Sequence, residues 1–282
     1  MSIKKIGVVG AGTMGSGIAQ AAAMSGYAVT IYDVAESQLQ RGLKAIESSL
    51  RRLAEKEKIT EDDVVKSTNQ IGLTSELSGL ANMDIVIEAA VENVDLKLAL
   101  FADLDHICQP DALLVSNTSS ISLTKLAGAT SRPSRVCGMH FFNPVPLMKL
   151  VEVIRALQTS DKTFFVVNEL AKSLGKVAVG VKDSPGFVVN RMLVPMINEA
   201  VFLLYEGIAS ASEIDEAMKL GAHHPIGPLA LADMIGIDVC LFVMEILHEE
   251  YGDSKYRACP LLKQKVHAGY LGRKSGRGFF EY

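Results

Sequence analysis

Four stretches of the chain carry side chains that could work on a secondary alcohol. His140, within 138–144 (GMHFFNP), offers an imidazole whose ordinary pKa lies near neutrality, so it can take a hydroxyl proton and give it back. Glu152, in the next apolar run, could hold the far ring nitrogen, fixing the tautomer and steadying the imidazolium. Ser119, in 115–120 (VSNTSS), and Asn190, in 183–191 (DSPGFVVNR), are neutral donors suited to an oxygen that gains charge as a carbonyl forms. Each also has an ordinary reading. His140 on an apolar strand could be a satisfied core histidine, Ser119 and Asn117 could cap a helix beginning near 122, and Asn190 could serve a helix start.

Removing hydride from an alcohol needs an acceptor, and the N-terminus supplies a place for one. Gly10-Ala11-Gly12-Thr13-Met14-Gly15 is G-x-G-x-x-G, directly after a β-branched run and opening an alanine-rich helical stretch. Gly10 permits the tight turn, Gly12 lets a pyrophosphate approach the backbone, and Gly15 lets helix and strand pack closely. The turn residues Thr13 and Met14 and the helix N-terminus that follows offer N–H groups and a favourable dipole to phosphate. Asp33 ends the second predicted strand, where a carboxylate can accept both ribose hydroxyls and repel a 2′-phosphate, so NAD is expected over NADP.

These residues need a scaffold that brings strand ends together. Strands are expected at 5–9, 28–32, 84–88, 112–116, 136–140 and 150–154, the last four as buried parallel strands. Helices are expected at 15–25, from 37 to about 58 and at 94–107, with a helix start at Thr60 to Asp63. Strand alternating with helix predicts an α/β fold, a Rossmann-type, mostly parallel sheet with helices on both faces. After 176–181 the cluster Lys182-Asp183-Ser184-Pro185-Gly186 breaks the pattern, and 187–206, 212–220, 228–235 and 237–251 read as helix. Two domains follow: 1–183 for the dinucleotide, and a helical 184–282.

Bulk properties narrow the field. Lys and Arg number 28 against 32 Asp and Glu, a net charge of −4 that offers no broad cationic field for nucleic acid. The richest late apolar run, 188–205, is interrupted by Asn190, Arg191, Asn198 and Glu199, so no membrane span is expected. Lys4 and Lys5 before an apolar run imitate a secretory leader, yet the glycines within that run are unlike a leader core. Cys108, Cys137, Cys240 and Cys259 have neither disulfide nor zinc spacing, which reads as reduced, buried thiols in a cytoplasmic protein. His106, His223, His224, His248 and His267 lack ligand spacing, so no metal is expected.

The glycine turn, 115–120, 138–144, 183–191 and the ending 272–280 (GRKSGRGFF), in this order over essentially the whole chain, resemble the L-3-hydroxyacyl-CoA dehydrogenase family. The resemblance implies NAD-dependent interconversion of a 3-hydroxyacyl-CoA and its 3-ketoacyl-CoA. By motif it makes His140 the general acid and base, Glu152 its orienting carboxylate, and Ser119 and Asn190 the groups that hold the substrate oxygen and thioester region. It places Glu92, Lys97, Asn117, Ser119 and Asn143 with the nicotinamide and ribose, and Lys274 with the cofactor from the C-terminal tail. It also brings Arg52 and Lys56, four apart on one predicted helix, to the phosphate of CoA, and makes the helical domain the site of a homodimer. Two rivals remain: a β-hydroxyacid dehydrogenase acting on a free acid, which would use a lysine where HFFNP supplies histidine, and a nucleotide-binding protein without turnover.

Overall fold

The β-branched run Lys5–Val9 buries Ile6 and Val8 completely and forms β1, a central strand of a single sheet. In the computed structural model, which describes residues 3–282, β1 leads into α1 (Thr13–Met24), β2 (Ala28–Tyr32), α2 (Glu36–Glu55), α3 (Glu61–Asn69) and β3 (Ile71–Thr74). There follow β4 (Ile85–Glu88), α4 (Val94–Ile107), β5 (Leu113–Ser116), α5 (Leu123–Gly128), β6 (Val136–Phe141), β7 (Leu150–Arg155), α6 (Asp161–Ser173) and β8 (Val177–Lys182). The strands lie in the order β3-β2-β1-β4-β5-β6-β7-β8. Strand order reverses between β1 and β4, so their carboxyl ends border the crevice where open α/β sheets take ligands.

The parallel expectation fails at one pair. β6 and β7 run antiparallel, with His140 directly opposite Glu152. The connection 142–149 holds no helix and is too short for the crossover that parallel strands require. All other strand pairs are parallel, and β4 and β5 are buried at every position, as strands covered on both faces must be.

Two helices differ from their expected bounds in ways that bear on the site. α1 starts at Thr13, so the whole glycine turn is the loop and first turn of one helix. α2 stops at Glu55 rather than near 58, because Glu57 takes a left-handed φ of 55° and the amides of Glu57 and Lys58 return to the carbonyls of Ala54 and Leu53. Lys56 therefore caps the helix instead of extending the Arg52 face. Thr60 and Asp63 do form a reciprocal capping box, and Asp63's carboxyl is held below its usual range by hydrogen bonds from the Thr60 amide and hydroxyl.

The chain divides into two compact units, one ending at Ser184 and the other spanning Pro185–Tyr282. The second unit is helical: α7 (Val189–Tyr205), α8 (Ala211–Ala222), α9 (Pro228–Ile235), α10 (Ile237–Tyr251) and α11 (Pro260–His267). Val194, Ile197, Val201, Leu229, Met244 and Leu247 are central to its core. Asp233, buried on α9, accepts from the amides of Phe279 and Phe280 and the hydroxyl of Tyr282, tying the tail to the unit. Among the described residues no helix is long and apolar enough to cross a membrane.

Candidate active site

The glycines of the turn have different physical reasons to be glycine. Gly10 has φ 97°, and a Cβ there would stand 2.7 Å from the Ala89 carbonyl oxygen. A Cβ on Gly15 would lie 1.8 Å from the Gly10 carbonyl oxygen, which no rearrangement of side chains could relieve. A Cβ on Gly12 would meet nothing within 4 Å. The fold thus demands Gly10 and Gly15, whereas Gly12 faces open space at an α1 N-terminus that no side chain caps. Gly17 lets α1 approach the loop after β6, since its Cβ would stand 2.8 Å from the Cβ of Val145.

Asp33 follows β2. Its Oδ2 accepts from the amide of Ala11 at 2.9 Å and its Oδ1 from the amide of Ala35 at 3.0 Å, so one carboxylate fixes both the glycine turn and the entry to α2. Each oxygen keeps a further lone pair for ribose hydroxyls. Asp33 and Gly10 line a mostly apolar cavity of about 390 Å³ with Tyr32, Ala90, Val91 and Leu96. Beside Gly12 and Thr13 lies a second cavity, of about 510 Å³, bordered by Asn143 and by Gln38, Arg41 and Ser49 of α2. The residues present fit a dinucleotide: open backbone at a helix N-terminus, an acceptor for the ribose and an apolar slot next to it.

His140 and Glu152 meet. Opposed in register on β6 and β7, they place His140 Nδ1 2.7 Å from Glu152 Oε2, with both side chains buried. Where Glu152 accepts, Nδ1 donates, the tautomer in which Nε2 is the ring nitrogen that can take a proton. The His140 ring also packs against Phe142, centroids 4.5 Å apart. β6 runs parallel to β5, which puts His140 at the same edge of the sheet as the glycine turn. Asn117 links these strand ends: its Oδ1 accepts from the Phe141 amide at 2.9 Å. Neither Asn117 nor Ser119 caps α5, because Ser122 does so itself, accepting from the Lys125 amide.

Glu92 gathers the loop after β5. Its Oε1 accepts from the hydroxyls of Thr118 and Ser120, the latter at 2.7 Å, and from the Ser119 amide at 3.2 Å, while its Oε2 lies 3.2 Å from Lys97 Nζ. Burial pushes the Glu92 carboxyl up, but the Lys97 ammonium and the hydrogen bonds from Thr118, Ser120 and Lys97 outweigh it and hold the group below the usual carboxylate range. Thr118, Ser120, Ser116 and Glu88 are members of this cluster that the sequence reading did not single out. The Lys97 side chain is 1% exposed and its ammonium is shared among Glu88, Glu92 and the Ala90 carbonyl, so it stands behind Glu92.

Asn190 lies in the first turn of α7, in the second unit. Lys274 is in the same unit and is ion-paired with Asp238 at 2.6 Å. Arg52 donates through Nε to the Ser48 carbonyl and lines a separate groove with Lys44, Glu47, Arg51 and Glu55. All four cysteines are free and buried, and burial pushes Cys137 and Cys240 up to about 12, far from thiolate chemistry.

Comparison with known proteins matches residues 5–184 to the NAD binding domain of 3-hydroxyacyl-CoA dehydrogenase, and residues 186–282 to the C-terminal domain of 3-hydroxyacyl-CoA dehydrogenase. A relative from Bacillus subtilis (strain 168), named "Probable 3-hydroxybutyryl-CoA dehydrogenase", is 56% identical over 282 residues, covering 100% of this chain and 98% of its own length. The 3-hydroxybutyryl-CoA dehydrogenase of Bradyrhizobium diazoefficiens is 51% identical over 280 residues, 99% of this chain and 96% of that one. The crystal structure of an (S)-3-hydroxybutyryl-CoA dehydrogenase from Ralstonia eutropha superposes with a TM-score of 0.97 at 56% identity, covering 100% of this chain and 99% of that chain.

Proposed function

The chain belongs to the 3-hydroxyacyl-CoA dehydrogenase family, and from that premise we propose that it interconverts (S)-3-hydroxybutyryl-CoA and acetoacetyl-CoA, using NAD. One observation carries the chemistry: the buried His140–Glu152 pair at the carboxyl edge of the sheet that bears the glycine turn. NAD, when bound, accepts the hydride, and as NADH it returns one. His140 Nε2 takes the 3-hydroxyl proton as the carbonyl forms, while Glu152 keeps the proton on Nδ1 and balances the imidazolium. In the reductive direction the same nitrogen gives its proton to the ketone oxygen. Ser119 and Asn190 donate to that oxygen and to the thioester region, stabilising charge that peaks near the transition state.

The open N-terminus of α1 at Gly12, Thr13 and Met14 holds the pyrophosphate, Asp33 the adenosine ribose, and Glu92 and Asn143 the nicotinamide side. The cavity bordered by Asn143, Arg41 and Ser49 receives the nucleotide arm of the acyl-CoA, Arg41 being the charged residue among the described residues that line it. Lys56 supplies a further cation near the end of α2. Lys274 acts from the tail of the second unit, the half of the chain we also assign to a homodimer. Exposed Met192, Leu220, Tyr205 and Phe242 there give that assignment its apolar surface. The four buried thiols suit a cytoplasmic location.

A chain-length series of 3-ketoacyl-CoA substrates, each measured with NADH and with NADPH, tests the proposal. The highest kcat/KM is expected for acetoacetyl-CoA with NADH. Equal turnover of free acetoacetate, or NADH binding without oxidation by any thioester, overturns it.

A further inference from the structure

Glu88 is buried completely at the carboxyl end of its strand, and no step of the proposed reaction uses it. It ends β4, beside Val9 of β1 and Ser116 of β5 in register, at the point where strand order reverses. Its Oε1 accepts from Lys97 Nζ at 2.5 Å and from the Ala90 amide at 2.7 Å, and its Oε2 from the Ser116 hydroxyl at 2.5 Å. The Ser116 hydroxyl in turn accepts from the Thr118 amide at 3.1 Å. Lys97 faces three acceptors, Glu88, Glu92 and the Ala90 carbonyl, which matches the three N–H bonds of an ammonium.

We propose that Glu88 is a positioning residue: it anchors Lys97 as a fixed partner, and Lys97 in turn holds the Glu92 carboxylate in place toward the nicotinamide ribose. The proposal rests on the assignment of Glu92 to the cofactor. A buried carboxylate and ammonium give little net stability against an apolar pair of the same shape, so stability alone is a weak reason for Glu88. A single carboxylate facing Lys97 would draw the ammonium wholly to itself. Glu88 holds the ammonium nearer to itself, at 2.5 Å against 3.2 Å for Glu92, so that Glu92 keeps Thr118, Ser120 and the Ser119 amide as partners and presents its 26% exposed side chain outward. On this view Glu88 and Lys97 act through one path, and their effects on cofactor binding must not add.

The experiment measures NADH binding by fluorescence titration and KM for acetoacetyl-CoA in the full-length protein, for Glu88→Gln, Lys97→Met, the two combined, and Glu92→Gln. Glu88→Gln keeps the shape and the acceptor for Lys97 while removing the charge. We expect it to weaken NADH binding about tenfold, on the scale of outer partners that orient a binding group, with KM for acetoacetyl-CoA within about twofold. The combined variant is expected to bind NADH no worse than Lys97→Met alone. It removes the Glu88 carboxylate and the Lys97 ammonium together, so it remains a usable readout should Glu88→Gln fail to fold. Parent-like NADH affinity in Glu88→Gln, multiplied losses in the combined variant, or a fall in thermal stability with both substrates affected alike overturns the role of Glu88. Loss of NADH binding in Glu92→Gln but not in Glu88→Gln refutes this inference alone, whereas unchanged binding in Glu92→Gln removes the assignment of Glu92 beneath it.

Discussion

Two regions of the sheet's carboxyl edge are built on opposite principles. At β1 and α1 the site is made by leaving atoms out: Gly12 has nothing within 4 Å of where its Cβ would be, and a helix N-terminus stands without a side-chain cap. At β6 and β7 it is made by putting groups in: a histidine and a carboxylate in direct register, 2.7 Å apart and buried together. The first arrangement binds phosphate through backbone that every protein has, so its specificity lies in access. The second moves a proton, so its specificity lies in which nitrogen is basic. Damage to the two regions should therefore appear in different measurements.

The largest effects belong to the proton-handling end. His140→Ala should lower kcat for acetoacetyl-CoA reduction by roughly a thousandfold, within the usual span of general acid and base catalysis. Glu152→Gln keeps the shape but loses the charge that balances the imidazolium, and should lower kcat about a hundredfold. In both variants NADH affinity should stay close to that of the parent, because neither side chain belongs to the backbone cradle. A tenfold loss of NADH binding in either would break the division drawn between the regions.

At the glycine turn, two substitutions of the same size should part company. Gly12→Ala meets no neighbour, so thermal stability should hold while NADH binding falls about tenfold, the equivalent of roughly 1.4 kcal/mol. Gly15→Ala drives a methyl into the Gly10 carbonyl and should cost about 1–3 kcal/mol of stability, as overpacking does, read as a lowered Tm. Equal Tm losses in the two would mean that Gly12 is a fold requirement like its neighbour.

The same contrast explains what could be read from sequence. Elements with one strong period or one clear signal are legible: β1, β2, α4, α9 and α10 match their expected bounds, and G-x-G-x-x-G names its own turn. β3 is not, since Ile71-Gly72-Leu73-Thr74 is four residues with a glycine inside, and neither is α6, where Phe164-Phe165-Val166-Val167 hides the helical period within an apolar run. α11 escapes notice because Pro260 opens it, with no side-chain cap to announce it. The direction of β7 needed only loop length, which rules out a crossover after Phe141. The Glu88 cluster was beyond reach for a different reason. Its members come from β4, the loop after it, α4, the end of β5 and the loop after that, and only the sheet order brings them together.

α2 offers the smallest and finest test, because its two faces separate cations of the same helix. Gln38, Arg41, Ala45 and Ser49 recur every three or four residues and border the cavity that Asn143 also lines, whereas Lys44, Ser48, Arg51, Arg52 and Glu55 line a groove apart from it. Arg41 and Arg52 each donate Nε to the carbonyl four residues earlier, so the two differ in the face they occupy rather than in local bonding. Arg52 further shares its groove with two carboxylates, Glu47 and Glu55, which weaken its pull on a phosphate. Arg41→Ala should therefore raise KM for acetoacetyl-CoA about threefold to tenfold, the worth of one solvent-accessible charged contact, and leave KM for a thioester truncated beyond the pantetheine arm unchanged. Arg52→Ala should change either by less than about twofold, with Lys56→Ala in between. If Arg52→Ala costs as much as Arg41→Ala on the full CoA ester, the acyl-CoA runs along the outer face of α2 and the cavity beside Gly12 serves the dinucleotide alone.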